Sequence, residues 1–183
     1  METTNSNGHV KTNTPEISGI AEPNATIDIY DGATKIATVT ADADGKWSYT
    51  FSPVLADGNH SITTTATDAA GNVSDKSDAL IIKVDTQKPE APAAATFESD
   101  NNDGNVKTNT PAISGIAEPY ATIDIYDGAT KIATVTADAD GKWSYTFSPA
   151  LADGNHSITT TATDAAGNVS EKSDALTIKV DTE

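Results

Sequence analysis

The sequence ATIDIYDGATKIATVTADADGKWSYTFSP, residues 121–149, contains the pattern that decides the fold. Its opening residues alternate, so that Ile123 and Ile125 face inward from a predicted strand while its polar side chains face outward. Asp127-Gly128 is a strong hairpin signal, and the run DADG at 138–141 predicts a second tight turn. The stretch therefore predicts three consecutive strands joined by tight turns.

An aromatic side chain follows at every second position, at Trp143, Tyr145 and Phe147, so the three share one face of a strand. Such a stripe could stack against sugars, but we expect it to fill the core because each unit offers no other residues this large. Short strands continue to the end of the chain, with turns about every eight to twelve residues and no helical periodicity. The pattern predicts an all-β, immunoglobulin-like β-sandwich of about seven strands.

The same stretch occurs again at residues 25–53, within a much longer duplication. Residues 10–87 align with residues 106–183 at a constant offset of 96, and six of the 78 positions differ. A period of this length fits a small domain, so we predict two tandem immunoglobulin-like domains, at residues 1–86 and 87–183. The differing pairs are Glu16/Ala112, Asn24/Tyr120, Val54/Ala150, Asp75/Glu171, Ile81/Thr177 and Gln87/Glu183.

The proline- and alanine-rich segment 89–97 is a predicted edge strand that precedes the second copy. It has no counterpart before the first copy. We therefore expect the first domain to lack its first strand, as an N-terminally truncated repeat of a longer array.

Composition excludes several classes of function. The net charge of −16 argues against nucleic acid as a partner, because its phosphates would be repelled. Cysteine is absent, so neither disulfides nor a thiol nucleophile is available. No segment reaches the apolar length of a membrane span and no signal peptide is visible, so we expect no membrane insertion. His60 and His156 have no serine or carboxylate at catalytic spacing, so we do not expect an enzyme.

Acidic residues concentrate in the predicted loops at one end of the second domain, which is the end where the chain enters from the first. Carboxylates packed together repel one another unless a cation compensates, and calcium accepts six to eight oxygen ligands in irregular geometry. We therefore predict calcium at the junction between the domains. Solvated turn tips are the plainer explanation, since Asp and Gly favour turns for backbone reasons. The candidate ligands are Asp85, Glu118, Asp138, Asp140 and Asp164.

In the first domain the equivalent residues Glu22, Asp42, Asp44 and Asp68 would form a partial site, since no linker precedes them. The loop at residues 100–104 resembles part of an EF-hand calcium loop but lacks its final glutamate. It is a separate, weaker candidate.

Two alternatives concern binding. Ser157, Thr159, Thr161 and Thr163 line one face of a predicted strand, as do their counterparts Ser61, Thr63, Thr65 and Thr67. Such a ladder could bind surface glycans or ice, although Thr is also simply favoured on an exposed strand face. Near-identical neighbouring sandwiches could also associate homotypically through their edges.

The motifs SGIAEP, DADGKWSYTFSP and TATDAAGNVS, with the linker VDT followed by proline, resemble the bacterial Ig-like repeats of giant surface adhesins. These include Bap-type biofilm-associated proteins and large type I-secreted adhesins. The resemblance implies extracellular spacer domains on the bacterial cell surface, involved in cell adhesion and biofilm formation, whose partners are neighbouring repeats of the same chain. It also implies calcium at the junctions, with Asp85, Glu118 and Asp164 as ligands. An accessory module of a secreted glycanase is the alternative.

Overall fold

The computed structural model describes residues 8–97 and 105–183, and the chain divides into two compact units, Met1–Gln87 and Lys88–Glu183. The EF-hand-like run at residues 100–104 lies outside the described residues. All regular secondary structure in the described ranges is β-strand. These ranges contain no helix of the length and apolarity that crossing a membrane requires.

Unit 1 is a sandwich of two sheets. Its five-stranded sheet has the order β1-β7-β6-β3-β4, and β2 pairs with β5 in the second sheet. All pairs are antiparallel except β1 with β7. The strands are β1 (His9–Val10), β2 (Glu16–Ile20), β3 (Thr26–Asp31), β4 (Thr34–Thr40), β5 (Lys46–Thr50), β6 (Gly58–Thr67) and β7 (Leu80–Val84).

Unit 2 repeats this arrangement and adds a strand. Its five-stranded sheet has the order β12-β11-β14-β15-β9, and its second sheet has three strands, β13-β10-β8. The added strand, β8, lies at the edge next to β10. The strands are β8 (Thr96–Phe97), β9 (Asn105–Val106), β10 (Ala112–Ile116), β11 (Thr122–Asp127), β12 (Thr130–Thr136), β13 (Lys142–Thr146), β14 (Gly154–Thr163) and β15 (Leu176–Val180).

The core of each unit lies between its two sheets. In unit 2, Trp143 and Phe147 are buried in this core, and Tyr145 packs against it with its ring edge-on to Phe147. The prediction that the aromatic stripe fills the core is therefore confirmed. The position that carries Ile81 in one copy and Thr177 in the other is exposed in both, as the strand alternation predicts.

Three details differ from the expectations. Only Thr96–Phe97 of the predicted edge strand 89–97 is a strand. The short strand β9 was not predicted; it pairs in parallel with β15, from which it is distant in sequence. The Thr ladder is not an open face, since Thr65 and Thr161 are buried and their hydroxyls have no hydrogen-bond partner among the described residues.

Candidate metal site in the acidic loops

Three acidic loops meet at one end of unit 2, and backbone hydrogen bonds connect them. The Ala117 amide donates to the Gly141 carbonyl over 2.8 Å, and the Tyr120 amide donates to the Asp138 carbonyl over 3.2 Å. The third loop begins at Asp164, directly after the Thr122–Thr163 pair that joins β11 to β14. The prediction that these loops share one end of the sandwich is therefore confirmed within the unit.

The Asp138 and Asp164 carboxylates organise their own loops. Asp138 Oδ1 accepts hydrogen bonds from the amides of Asp140 and Lys142, both over 2.9 Å. Asp164 Oδ1 accepts from the Ala166 and Asn168 amides, and its Oδ2 accepts from Asn168 Nδ2 over 3.0 Å. These hydrogen bonds stabilise the two turns, so they account for the Asp and the Gly that each turn contains without requiring a bound ligand.

The two remaining unit 2 candidates, Glu118 and Asp140, have exposed side chains. Glu118 closes its turn with its backbone, because its carbonyl accepts from the Ala121 amide over 3.1 Å. Its side chain is therefore available to a ligand at no cost to the turn.

Unit 1 brings two of its candidates together. Glu22 and Asp68 line one hollow of about 280 Å³, together with Ala25, Ala66, Asn72, Val73 and Ser74. Hydrogen bonds from the side chain and backbone of Asn72 lower the pKa of Asp68, with further bonds from the Ala70 and Gly71 amides, and together they outweigh the opposing effect of burial. Asp42 Oδ1 accepts hydrogen bonds from the amides of Asp44 and Lys46, as Oδ1 of its counterpart Asp138 does from the equivalent amides in unit 2.

Asp85 lies at the end of unit 1, where its Oδ1 accepts from the Gln87 amide over 3.1 Å. That Asp85 binds the same calcium ion as Glu118 and Asp164 of unit 2 stays a prediction. The described residues contain no group of three or more His, Asp or Glu side chains placed to hold a metal ion. A calcium site here would therefore need carbonyl and water oxygens beside the carboxylates, which are ligands that calcium accepts.

Each histidine makes a partly buried contact with an aspartate that is distant in sequence. His60 Nδ1 lies 2.6 Å from Asp31 Oδ2, and His60 Nε2 lies 2.7 Å from the Ala56 carbonyl. His156 makes the same contacts with Asp127 and Ala152. Neither aspartate was assigned to its histidine from the sequence, because the pairings of β3 with β6 and of β11 with β14 join residues 29 apart.

A second missed feature is the backbone at Asn24 and Tyr120, the only non-glycine residues of the described chain with positive φ, both 62°. Asn often adopts this left-handed conformation, whereas a bulky residue such as Tyr rarely does. The side chain of Tyr120 is 71 % exposed. Position 24/120, which is one of the six that differ, could have been found from its turn sequence Glu-Pro-Asn.

A family model described as "Bacterial Ig-like domain" matches the chain twice, at residues 2–86 and 92–182. The chain belongs to this family. Exoglucanase B of Cellulomonas fimi is 33% identical over 156 residues, which is 82% of this chain and 13% of that protein. The chain therefore spans only a small part of this relative.

Two solved structures match the chain. The fibronectin(III)-like modules of Clostridium thermocellum CbhA match with a TM-score of 0.54 and 19% identity, over 90% of this chain and 85% of that one. A structure described as a Ca²⁺-stabilized adhesin that helps an Antarctic bacterium reach out and bind ice matches with a TM-score of 0.47 and 27% identity. That match covers 94% of this chain and 45% of the adhesin.

Proposed function

We propose that this bacterial Ig-like chain is a non-catalytic spacer of an extracellular adhesin on the bacterial cell surface, where it serves cell adhesion and biofilm formation. The observation that carries the proposal is the near-identity of two adjacent sandwiches, with six differences in 78 positions. A length-adding element gains from repetition, whereas a catalytic site is rarely needed twice in the same form. The motifs that resemble adhesin repeats support the same role.

A spacer transmits length only if the chain is well held where each unit ends. In unit 1 the Asp85 amide donates to the Val10 carbonyl, and the Thr86 amide and hydroxyl donate to Asp57 over 3.2 and 3.0 Å. In unit 2 the chain is engaged from its start, since Pro89 is buried. The C-terminal end of unit 1 is therefore held by hydrogen bonds within unit 1 itself.

We further propose that calcium binds where the units join, through Asp85, Glu118 and Asp164, with Asp138 and Asp140 as additional candidates. Their own loops already fix the Asp138 and Asp164 carboxylates, so these oxygens are preorganised for a hard cation. The Oδ1 atoms of both residues already accept two backbone amides each, so the cation would bind at their Oδ2 atoms. Extracellular modules bind calcium at roughly 10⁻⁴–10⁻³ M, a range that suits a cation drawn from the medium.

The test is small-angle X-ray scattering and thermal unfolding of the chain with calcium and with a chelator. We expect calcium to increase the maximum dimension and to raise the unfolding temperature, because binding to the folded form stabilises it by mass action. Identical scattering and stability under both conditions would sink the calcium proposal, while the spacer proposal would stand on the repeat alone.

Glu118→Gln is the most informative variant, because the Glu118 side chain is exposed and its turn is closed by its backbone. Its matched control is Glu16→Gln, the same change at an exposed position of the first copy that is not a candidate ligand. We expect the first variant to weaken the calcium response by about tenfold in calcium concentration, since it removes a charged ligand, and the second to leave it unchanged. Equal effects would place the site elsewhere.

The similarity to part of Exoglucanase B favours a second candidate function, which is that of an accessory module of a secreted glycanase that itself binds carbohydrate. The test is retention of the chain on crystalline cellulose and on chitin, with bovine serum albumin as the control. Retention above the control would favour the accessory module. Homotypic association stays a prediction, which sedimentation equilibrium would check.

A further inference from the structure

The loop that precedes β6 is joined to β3 through the ring of His60. His60 Nδ1 lies 2.6 Å from Asp31 Oδ2, and His60 Nε2 lies 2.7 Å from the Ala56 carbonyl oxygen. An ionised carboxylate and a carbonyl both only accept hydrogen bonds, so each contact needs a proton on the ring nitrogen. A neutral imidazole carries one such proton and an imidazolium carries two. Only the charged ring therefore satisfies both contacts at once.

The same arrangement occurs in unit 2, where His156 Nδ1 lies 2.6 Å from Asp127 Oδ2 and Nε2 lies 2.8 Å from the Ala152 carbonyl. In both copies the histidine side chain is 14% exposed. Burial lowers the pKa of His60, but its hydrogen bonds to the carbonyl and the carboxylate raise this pKa by more than burial lowers it. The bond to the Ala152 carbonyl is the largest influence on the pKa of His156, which is raised as well. Both shifts favour the charged ring.

Asp31 is the charged group that faces the His60 ring from the elements around it. In the loop, the Asp57 carboxylate accepts hydrogen bonds from Thr86 instead. On β7, the residue opposite His60 is apolar, and the neighbouring Lys83 lies on the other face because side chains alternate along a strand. Among the described residues, Asp31 is therefore the group that balances the charge of the ring.

Loss of one proton affects the two contacts of His60 unequally. A hydrogen bond to a charged acceptor is about twice as strong as one to a neutral acceptor. The neutral ring therefore keeps its proton on Nδ1, facing Asp31. Nε2 then presents a lone pair to the Ala56 carbonyl oxygen, and two acceptors at 2.7 Å repel each other. Deprotonation thus releases the Ala56 carbonyl and leaves the contact with Asp31 in place.

The release of Ala56 reaches the end of unit 1 through one residue. Asp57, which follows it, accepts hydrogen bonds from the Thr86 amide over 3.2 Å and from the Thr86 hydroxyl over 3.0 Å. The other side of the loop stays anchored, because the Leu55 amide donates to the Asn13 carbonyl over 2.8 Å. The peptide group between Ala56 and Asp57 is therefore the part that moves, and the contact with Thr86 loosens with it.

We propose that His60 is a pH-dependent latch, which holds the end of unit 1 while its ring is charged and releases it when the ring is neutral. The charged ring fixes the loop and so keeps the Asp57 carboxylate in place for Thr86. The latch is closed below the histidine pKa and opens above it, and it requires neither calcium nor the spacer function. The equivalent residues of unit 2 make the same hydrogen bonds, and they are His156, Ala152, Asp153 and Thr182.

The test is an NMR titration of the full chain between about pH 5.5 and pH 9, above the range in which carboxylates ordinarily titrate. Long-range proton–nitrogen spectra report each ring nitrogen, and carbon-detected backbone spectra report Thr86 without relying on slowly exchanging protons. We expect both nitrogens of His60 to be protonated at the acid end and Nε2 alone to lose its proton. The Thr86 signals should shift with the same midpoint. Constant Thr86 signals while His60 titrates, or loss of the proton from Nδ1, would overturn the proposal.

The variant Asp31→Ala separates the latch from the titration of the ring. Without the carboxylate, the neutral ring of His60 should keep its proton on Nε2, where the Ala56 carbonyl still accepts it. His60 should then still titrate, but Thr86 should lose most of its pH-dependent shift. Thr182 is the matched control in the same sample, because the latch of unit 2 is unchanged. Equal pH-dependent shifts at Thr86 and Thr182 in this variant would contradict the proposal.

Discussion

At the scale of single residues, the left-handed backbone at Asn24 and Tyr120 turns a sequence difference into a stability difference. Both residues have φ near 62°, but only Asn adopts this conformation readily. We expect Tyr120→Asn to stabilise unit 2 by about 0.5–1 kcal/mol, since the exposed ring loses little burial on removal. Urea unfolding followed by hydrogen exchange measures it. The reciprocal change, Asn24→Tyr, should destabilise unit 1, and a stabilising effect there would refute the explanation.

The histidine–aspartate contacts give a pH dependence. Burial lowers the pKa of His60. Hydrogen bonds from the ring to the Ala56 carbonyl and to Asp31 together raise this pKa by more than burial lowers it, so the net shift is upward. In unit 2 the bond to the Ala152 carbonyl is the largest influence on the pKa of His156, which is also raised. A raised folded pKa stabilises the protein below the unfolded value of about 6.5, and this contribution is lost as pH rises through the folded pKa.

We therefore expect the urea concentration at the unfolding midpoint to decrease as the pH is raised from about 5.5 to about 8, a window around the histidine pKa. The double variant His60→Gln, His156→Gln should flatten this slope, because Gln does not titrate. An unchanged slope in the double variant would assign the pH dependence to other groups.

At the scale of secondary-structure elements, the Trp143 ring of β13 lies against Gly115, the residue opposite it on the neighbouring strand β10 of the same sheet. A Cβ at Gly115 would lie 2.7 Å from the ring, at Cζ2. We expect Gly115→Ala to destabilise unit 2 by about 1–3 kcal/mol through overpacking. Trp143→Phe removes the ring atoms in the way, so the double variant should cost less than the sum of the two single changes. Additive costs, measured by urea unfolding, would mean that the contact does not limit this position.

The strands of the sandwich could be predicted from the sequence because alternation and turns are local signals. The hairpin at Asp127-Gly128 and the aromatic stripe at Trp143 are examples, and both lie in the structure as predicted. Pairings between distant segments could not be predicted, because a single sequence does not show which of its distant segments lie next to each other. The Asp31–His60 contact, strand β9 and the burial of Thr161 all depend on such pairings.

The candidate site follows the same division. That three acidic loops share one end could be predicted by counting strands up and down. That Asp138 and Asp164 cap their own turns could not, because a turn-forming Asp and a metal-binding Asp have the same sequence pattern.

At the scale of the whole molecule, the two units share a sequence, but β8 of unit 2 has no counterpart among the described strands of unit 1. Ala95 is buried in the core of unit 2 and Pro89 and Pro92 are also buried, whereas no described residue of unit 1 occupies the corresponding positions. Burial of apolar surface is the main favourable term in folding, at about 25 cal/mol per Å². Unit 2 should therefore be the more stable unit, even though the six differing positions lie mostly at the surface.

We expect residues 16–20 to lose exchange protection at lower urea concentration than residues 112–116, in hydrogen–deuterium exchange on the intact chain. Ala95→Asp in the chain should remove most of this difference, because a carboxylate at a 3% exposed position weakens the seating of the segment 88–97. Ala93→Asp, at an exposed position of the same segment, should preserve the difference. If both fragments lost protection together in the unmodified chain, the segment 88–97 would contribute no stability to unit 2.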